Sequence, residues 1–290
     1  MDEGNSMSAN LTQDQITYTV VDRIATVTLN RPDTRNSYTL PMADELGAAL
    51  RVANADDDVR VVVLTGAGND FTVGADLSGG TLKVTEPAAD QRSWVEPASR
   101  ATRPLYEMEK PVIAAVRGAA VGVGSTMILA ADFRLAATDT RFGFVFSRRG
   151  IYPEGGSSWY LPRLVGMGRA MDWMISGRLI DADEALAAGL VSAVHPPEMV
   201  LDKAYQLADE LIEHTAAVST AVIRQALYRM SALDSPEPAF RLDSQLIGSC
   251  DDSPDAAEGV ASFIERRPAK FTGTVNKNQP TFLPWHRPGR

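Results

Sequence analysis

The sequence predicts an α/β core followed by an all-helical tail. Short β-branched runs alternate with helical patterns up to about residue 196, which implies βαβ connections and parallel pairing. From about Pro197 the strand signal stops. Four helical patterns follow, over 199–214, 217–230, 236–250 and 254–266, separated by Pro, Ser and Asp breakers. With 290 residues, 44% of them hydrophobic, the chain is long enough to bury a sizeable core.

Taken in order, residues 1–14 read as a flexible leader. Ile16–Val21 and Ile24–Leu29 are alternating β-branched runs either side of Asp22-Arg23, a hairpin signal. Asn30-Arg31-Pro32-Asp33 ends the second strand, because Pro32 cannot continue a ladder. Pro41 opens a helix running to about Val52, at a position where its missing N–H costs nothing. The turn Asp56-Asp57-Asp58 precedes a strand over 60–64. Residues 78–92 show no periodicity and read as a mobile loop of a length usually tied to function or disorder. A helix over 93–108 leads to a buried strand over 111–116. After a turn at Arg117-Gly118, the segment with Gly122 and Gly124 runs into an apolar helix over 125–131, and 133–136 reads as a short strand. No repeat at fixed period is visible. Residues 271–290 form an extended arm whose Phe282, Leu283 and Trp285 call for a docking site.

Bulk properties exclude several function classes. A net charge of −9 and a pI near 4.9 argue against nucleic acid or an anionic membrane as partner. No apolar run reaches the roughly eighteen residues of a membrane span. The polar start has neither a basic nor an apolar segment of an export signal, so a cytoplasmic location is expected. The single Cys250 rules out an internal disulfide and a multi-thiolate metal site. His195, His214 and His286 show no ligand spacing and no nucleophile partner, so no metal is expected. Gly66-Ala67-Gly68 follows a strand, but Phe71 occupies the third glycine's place of a dinucleotide fingerprint.

Two stretches carry chemistry. Gly122-Val123-Gly124 sits where a loop becomes the first turn of a helix, so its N–H groups lack intrahelical partners and lie at the positive end of the helix dipole. Without side-chain bulk, a substrate oxygen can approach that backbone, which is half of an oxyanion hole. The alternative is that the glycines only let a helix pack on a strand. Upstream, the apolar strand at 60–64 turns into Phe71-Thr72-Val73-Gly74-Ala75-Asp76-Leu77 and a polar loop. These two stretches resemble the crotonase (enoyl-CoA hydratase/isomerase) superfamily. The likeness extends to Asn30-Arg31-Pro32-Asp33-Thr34-Arg35-Asn36-Ser37, to Arg178-Leu179-Ile180-Asp181-Ala182-Asp183-Glu184-Ala185 with Ala188-Gly189-Leu190-Val191, and to Ser262-Phe263-Ile264-Glu265-Arg266-Arg267-Pro268. It covers residues 15–271.

The resemblance implies a ClpP-like spiral of ββα units over 15–196 holding the acyl-CoA site, a helical trimerisation domain over 197–270 and the arm at 271–290. It also implies a homotrimer or a dimer of trimers. The substrate is then an acyl-CoA thioester, with no cofactor beyond its CoA moiety. Carried over by position, the N–H groups of Ala75 and Val123 bind the enolate oxygen, with Asp76, Leu77, Gly122 and Gly124 beside them. Many relatives have Gly at the place of Val123, whose branched side chain narrows the approach. Arg31, Arg35 and, from a neighbouring subunit, Lys270 are cationic groups for the CoA phosphates, or else merely exposed charges.

The departures set the reaction type. Family hydratases use two Glu residues, and those positions here hold Thr126 and Phe146, so two-carboxylate hydration is not expected. Gly150-Ile151-Tyr152-Pro153-Glu154-Gly155-Gly156-Ser157-Ser158 is similar to the Δ3-Δ2 enoyl-CoA isomerases of the superfamily, in which this Glu moves a proton between C2 and C4. Phe146 and its neighbours would desolvate Glu154 and raise its pKa. Alternatively, Glu154 caps the following helix. Asp76 and Asp132 read as structural, and Arg148-Arg149 as a solvated pair. The expected activity is enoyl-CoA isomerisation with Glu154 as base. A 2-enoyl-CoA hydratase using Glu154 alone and a non-catalytic acyl-CoA-binding protein are the alternatives.

Overall fold

The computed structural model describes residues 14–80 and 94–286. Most of the leader at 1–14, most of the loop at 78–92 and the last residues of the arm lie outside the described residues. Strands β1 (Ile16–Val21) and β2 (Ile24–Leu29) form an antiparallel hairpin. Its two-residue turn holds Asp22 and Arg23 at φ 48° and 68°, as tight hairpin turns demand. Helix α1 (Leu40–Ala55) is capped by the Thr39 hydroxyl, which accepts the Met42 N–H, and has Pro41 in its first turn. It leads to β3 (Val61–Gly66), and α2 (Pro97–Glu107) leads to β4 (Val112–Val116).

From β4 onward the chain repeats a pattern of strand, strand and helix. Strand β5 (Ala119–Val121) precedes α3 (Val123–Ile128). Next, β6 (Phe133–Ala137) and β7 (Arg141–Gly143) precede α4 (Ser157–Val165) and α5 (Met167–Ser176). Then β8 (Leu179–Asp181), α6 (Ala182–Ala187) and β9 (Ala193–His195) complete the core. The large sheet runs β1-β2-β3-β4-β6-β9, parallel after its first hairpin, and the small sheet runs β5-β7-β8. Successive turns of chain thus feed one strand to each sheet. Parallel bridges Tyr38–Ala75 and Thr72–Ala120 carry the small-sheet stacking one and two turns upstream.

The differences from the sequence reading have local causes. β5, β7 and β8 span three residues each, too short for an alternation to register. α3 starts at Val123, because Gly122 takes φ 57° and ψ −119° and turns the chain there. It ends at Ile128 in tightened turns, Leu129 N–H to Thr126 O and Ala131 N–H to Ile128 O, which free Asp132 N–H to bond Val112 O. Among the described residues, no helix is long and apolar enough to cross a membrane.

Helix α7 (Val200–His214) lays Val200, Ala204 and Ala208 against Ile24, Val61, Val63, Ile113 and Leu135. A boundary at 197 therefore assigns to the tail a helix that closes one face of the large sheet. The remaining helices are α8 (Ala217–Met230), α9 (Glu237–Gly248), α10 (Pro254–Glu265) and α11 (Val275–Asn278). The arm is not wholly extended, since α11 interrupts it. Asn276 anchors it by donating to Ala55 O and Asp57 Oδ1, and Leu283 and Trp285 pack on Val222 and Leu242.

Arg224 on α8 ties the tail to the core. It is 6% exposed and its Nε meets Asp132 Oδ2 at 2.7 Å. Its remaining N–H groups donate to the carbonyls of Leu105 and Met108 at the end of α2. Removing one partner of a buried pair leaves the other charge and these carbonyls unsatisfied. Arg224→Met is therefore expected to destabilise the fold by about 3–5 kcal/mol, read as a fall in the urea midpoint.

Candidate active site

A cavity of about 590 Å³ opens where α1, the loop after β3, the start of α3 and the segment before α4 meet. Tyr38, Ala75, Leu77, Gly122, Val123, Phe146, Arg149, Ile151 and Glu154 are among its lining residues. The two glycine-containing stretches converge here. A Cβ on Gly74 would stand 3.0 Å from Val121 O, and one on Gly122 would stand 3.9 Å from Gly74 Cα. Both residues have positive φ, which favours glycine at each, and at Gly74 the tight approach to Val121 O adds to it.

This approach orients two amides. Tyr38 donates its N–H to Gly74 O at 2.8 Å and accepts the Asp76 N–H at 2.9 Å. Gly74 and Asp76 thus spend their polar groups on Tyr38, and by the two-residue strand period the Ala75 N–H between them points the other way. Val123 is the first residue of α3, where N–H groups have no intrahelical acceptor, and Gly122 supplies no side-chain cap. Among the described residues neither the Ala75 nor the Val123 N–H has an acceptor. Two free donors at the wall of a cavity can bind an oxygen on which charge develops.

The loop carrying Ala75 is pinned from behind. Arg31 Nη1 donates to Ser37 O, Ser37 Oγ and Asp76 Oδ2 at 2.6, 2.9 and 3.0 Å. Asp76 Oδ1 accepts the Ser78 N–H at 3.0 Å. The bonds from Ser78, then those from Arg31 and Ser37, hold the Asp76 carboxyl well below the usual carboxylate range. Arg35 pairs with Asp70 at 2.7 Å, and Asp70 also accepts the Ala119 N–H at 2.8 Å. Neither Arg31 nor Arg35 lines the cavity, and each is engaged by a carboxylate of its own chain. Lys270 also lies outside the cavity wall of its own chain, its backbone N–H on Glu258.

Two further expected contacts fall elsewhere. Gly124 faces away from the cavity, where a Cβ would meet Thr72 Cγ2 at 2.6 Å; its role is packing. Thr126 is fully buried behind the Glu154 turn, with its Cγ2 against Gly155.

Glu154 reaches the cavity from a turn closed by Ser157 N–H on Glu154 O at 2.9 Å, with Gly155 and Gly156 at φ 56° and 76°. Helix α4 has Gly156 at its N-cap and no side-chain cap, so Glu154 does not cap it. Among the described residues the Glu154 carboxyl has no hydrogen-bond partner. Burial, then the charge of Glu96, push its pKa up to about 7. Phe146, 2% exposed, supplies part of that apolar surrounding.

Three residues at or behind the cavity wall were not read as site residues from the sequence. Tyr38 is buried with its hydroxyl on Pro97 O at 3.2 Å, and its proton is held tightly by burial and by Glu154. Arg149 faces the cavity, whereas Arg148 is tied to Ser176 O. Glu96 stands just behind the wall and accepts the Gly155 N–H at 2.8 Å. The dipeptide Glu96-Pro97 was the available signal, an acceptor followed by a proline that can begin a helix.

Comparison with known proteins gives the family of the chain. A sequence model described as enoyl-CoA hydratase/isomerase matches residues 20–274. The chain is 37% identical over 257 residues to enoyl-CoA hydratase ACTT3 of Alternaria alternata, covering 88% of this chain and 85% of that one. It is 36% identical over 253 residues to 1,2-epoxyphenylacetyl-CoA isomerase of Escherichia coli K12, covering 86% and 95%. A crystal structure of a probable enoyl-CoA hydratase/isomerase from Mycobacterium abscessus superposes with a TM-score of 0.81 at 34% identity, covering 89% of this chain and 98% of that one. The chain has the crotonase fold and belongs to the enoyl-CoA hydratase/isomerase family of the crotonase superfamily.

Proposed function

We propose that this chain is a Δ3-Δ2 enoyl-CoA isomerase. The observation that carries the reading is the partnerless, proton-retaining Glu154 facing the same cavity as two unpaired amides. The thioester carbonyl accepts the N–H groups of Ala75 and Val123. Glu154 removes a proton from C2 of a 3-enoyl thioester, and the negative charge moves onto the carbonyl oxygen as a dienolate. Protonation at C4 by the same carboxyl returns the electron pair to a C2–C3 double bond and restores the base. Because charge grows on the oxygen only during reaction, the fixed amides favour the transition state over the bound substrate. No second acid is needed. Asp76, the other carboxylate at the wall among the described residues, is engaged by Ser78, Arg31 and Ser37.

The names of relatives favour one other reading, hydration of a 2-enoyl thioester with Glu154 alone positioning water, since ACTT3 is called a hydratase. A non-catalytic acyl-CoA-binding role fits less well, because it gives no account of a half-buried carboxyl left without a partner at the cavity wall. We also propose a homotrimer, with Ile223, Leu227, Phe240 and Phe263 of the tail, all exposed here, as subunit-facing groups. In such an assembly Lys270 of one subunit is a candidate for the CoA phosphates of the next.

Glu154→Gln is expected to lower turnover of 3-enoyl-CoA by about a thousandfold with KM little changed, as for loss of a transition-state group. In deuterated water the wild type incorporates label without gaining the mass of water. Addition of water to 2-enoyl-CoA would move the assignment to the hydratase. Because the base must be ionised, kcat/KM falls below a midpoint of about 7 as pH drops.

Stability gives an independent check. A carboxyl raised from 4.5 to about 7 binds its proton more tightly folded than unfolded. The stability this contributes is complete below 4.5 and is lost as pH rises through 7. Glu154→Gln keeps a neutral group there, so it is expected to match the wild type near pH 4. By pH 8 it should be more stable by about 1–3 kcal/mol, measured as unfolding midpoints at the two pH values.

A further inference from the structure

We infer that Glu96 is a positioning residue for Glu154: from the N-terminal cap of α2 it anchors the turn that carries the base and keeps a second carboxylate beside it. The inference rests on the reading of Glu154 as base.

Glu96 is an unusual cap. Ser, Thr, Asp and Asn usually fill this position, because their short side chains reach back to the first turn. The longer Glu96 does the same, with Oε2 accepting the Ala98 N–H at 2.7 Å and Oε1 accepting the Ser99 N–H at 2.9 Å, and Oε1 also takes the Ser99 hydroxyl. Its extra reach brings Oε1 to the Gly155 N–H at 2.8 Å, across 59 residues of chain. That amide adjoins the Glu154 residue itself. Packing closes the same joint, since a Cβ on Gly155 would lie 2.6 Å from Thr126 Cγ2, 3.2 Å from Ala98 Cβ and 3.3 Å from Thr102 Cγ2. The turn that carries Glu154 is therefore held on the start of α2 by a hydrogen bond and by packing, with Thr126 of α3 against it as well.

The second consequence is electrostatic. Among the described residues, Glu96 from the α2 cap and Tyr38 from before α1 act on Glu154, while Arg149 from the turn ahead of α4 and Asp76, paired with Arg31, line the same cavity. Phe146 and Ile151 are apolar. After burial, the contribution that holds the proton on Glu154 is the charge of Glu96. A base that must take a proton from carbon gains from higher proton affinity as long as it remains largely ionised at working pH. A carboxylate immobilised by three N–H donors supplies that increment at fixed distance without competing for the substrate.

The test compares Glu96→Gln, which keeps an oxygen for Gly155 and removes the charge, with Glu96→Ala, which removes both. The readouts are kcat, KM, the pH profile and 13C-carboxyl NMR titration of Glu154, whose resonance is identified by its loss in Glu154→Gln. We expect Glu96→Gln to lower the Glu154 midpoint by about half a pH unit or more and kcat by about three- to tenfold, with KM within about twofold. Glu96→Ala should lower kcat by about a hundredfold, and Gln in that place should recover most of the difference. A Glu154 midpoint unchanged in Glu96→Gln, or equal kcat for the Ala and Gln variants, overturns the inference. If Glu154→Gln retains full turnover, the reading of Glu154 as base fails, while the NMR titration still decides whether Glu96 governs that carboxyl. Should either Glu96 variant fold poorly, the Gly155 amide of the unsubstituted protein decides. A strongly downfield proton shift that tracks the Glu154 titration supports the inference, and a shift typical of a solvated glycine overturns it.

Discussion

Gly74 packs tightly on the Val121–Gly122 backbone, with both glycines at positive φ, and the site depends on that approach. It brings a loop from one turn of the spiral against the start of a helix in the next. Neither contributes a side chain at the contact. What they contribute are amides whose neighbours are already bonded, Gly74 and Asp76 to Tyr38, and Gly122 to Gly143 and Thr126. Pairing the neighbours is what leaves the Ala75 and Val123 N–H groups free. A substitution with any Cβ at Gly74 or Gly122 would act on both donors, because each loop is the template for the other.

Leaving donors unpaired and burying a carboxyl both work against folding. The compensation lies nearby in the same loops. Arg31, Ser37, Ser78 and Asp76 form one network behind Ala75, and Asn36, fully buried, donates to Ala67 O and Asp70 O at 2.9 and 2.7 Å. Farther out, Arg224 joins α8 to the end of α2, the helix whose first turn Glu96 caps. The same helix is therefore fixed at its C-terminal end by the tail and at its N-terminal end by the group that holds the Glu154 turn.

How much of this was legible follows from the range of each interaction. The hairpin, the long strands and the tail helices announce themselves through local periodicity, and β1 and β2 keep the bounds read from their alternation. Strands of three residues carry no such signal, and β5, β7 and β8 are set by the spiral instead. Ala75, Val123, Phe146 and Glu154 reach one cavity because backbone turns place them, and the glycines and Pro153 that make those turns are visible in sequence. The ion pairs of the arginines were hidden because charge is visible in sequence and its partner is not. Arg31 and Arg35 meet Asp76 and Asp70, 45 and 35 positions away. Glu96 was hidden for the same reason, as its bond to Gly155 spans two turns of the spiral.

The identities of Thr126 and Phe146 bear on the proposed chemistry with a single carboxylate. A water-adding site must hold a neutral nucleophile, deprotonate it and deliver a proton elsewhere, which is work for two polar groups on opposite sides of the water. Here one of those places is a methyl-bearing side chain packed behind Gly155, and the other is a phenyl ring in the cavity wall. Neither side chain is a carboxylate, and the phenyl ring of Phe146 makes the wall beside Glu154 apolar. Moving a proton between two carbons of one substrate asks for the reverse of a water site: a single group that keeps the proton between its two transfers and no solvent to exchange it. A partnerless carboxyl with a midpoint of about 7 against an apolar wall has that character. The same apolar wall that depresses ionisation of Glu154 thus favours return of its proton to substrate over loss to water.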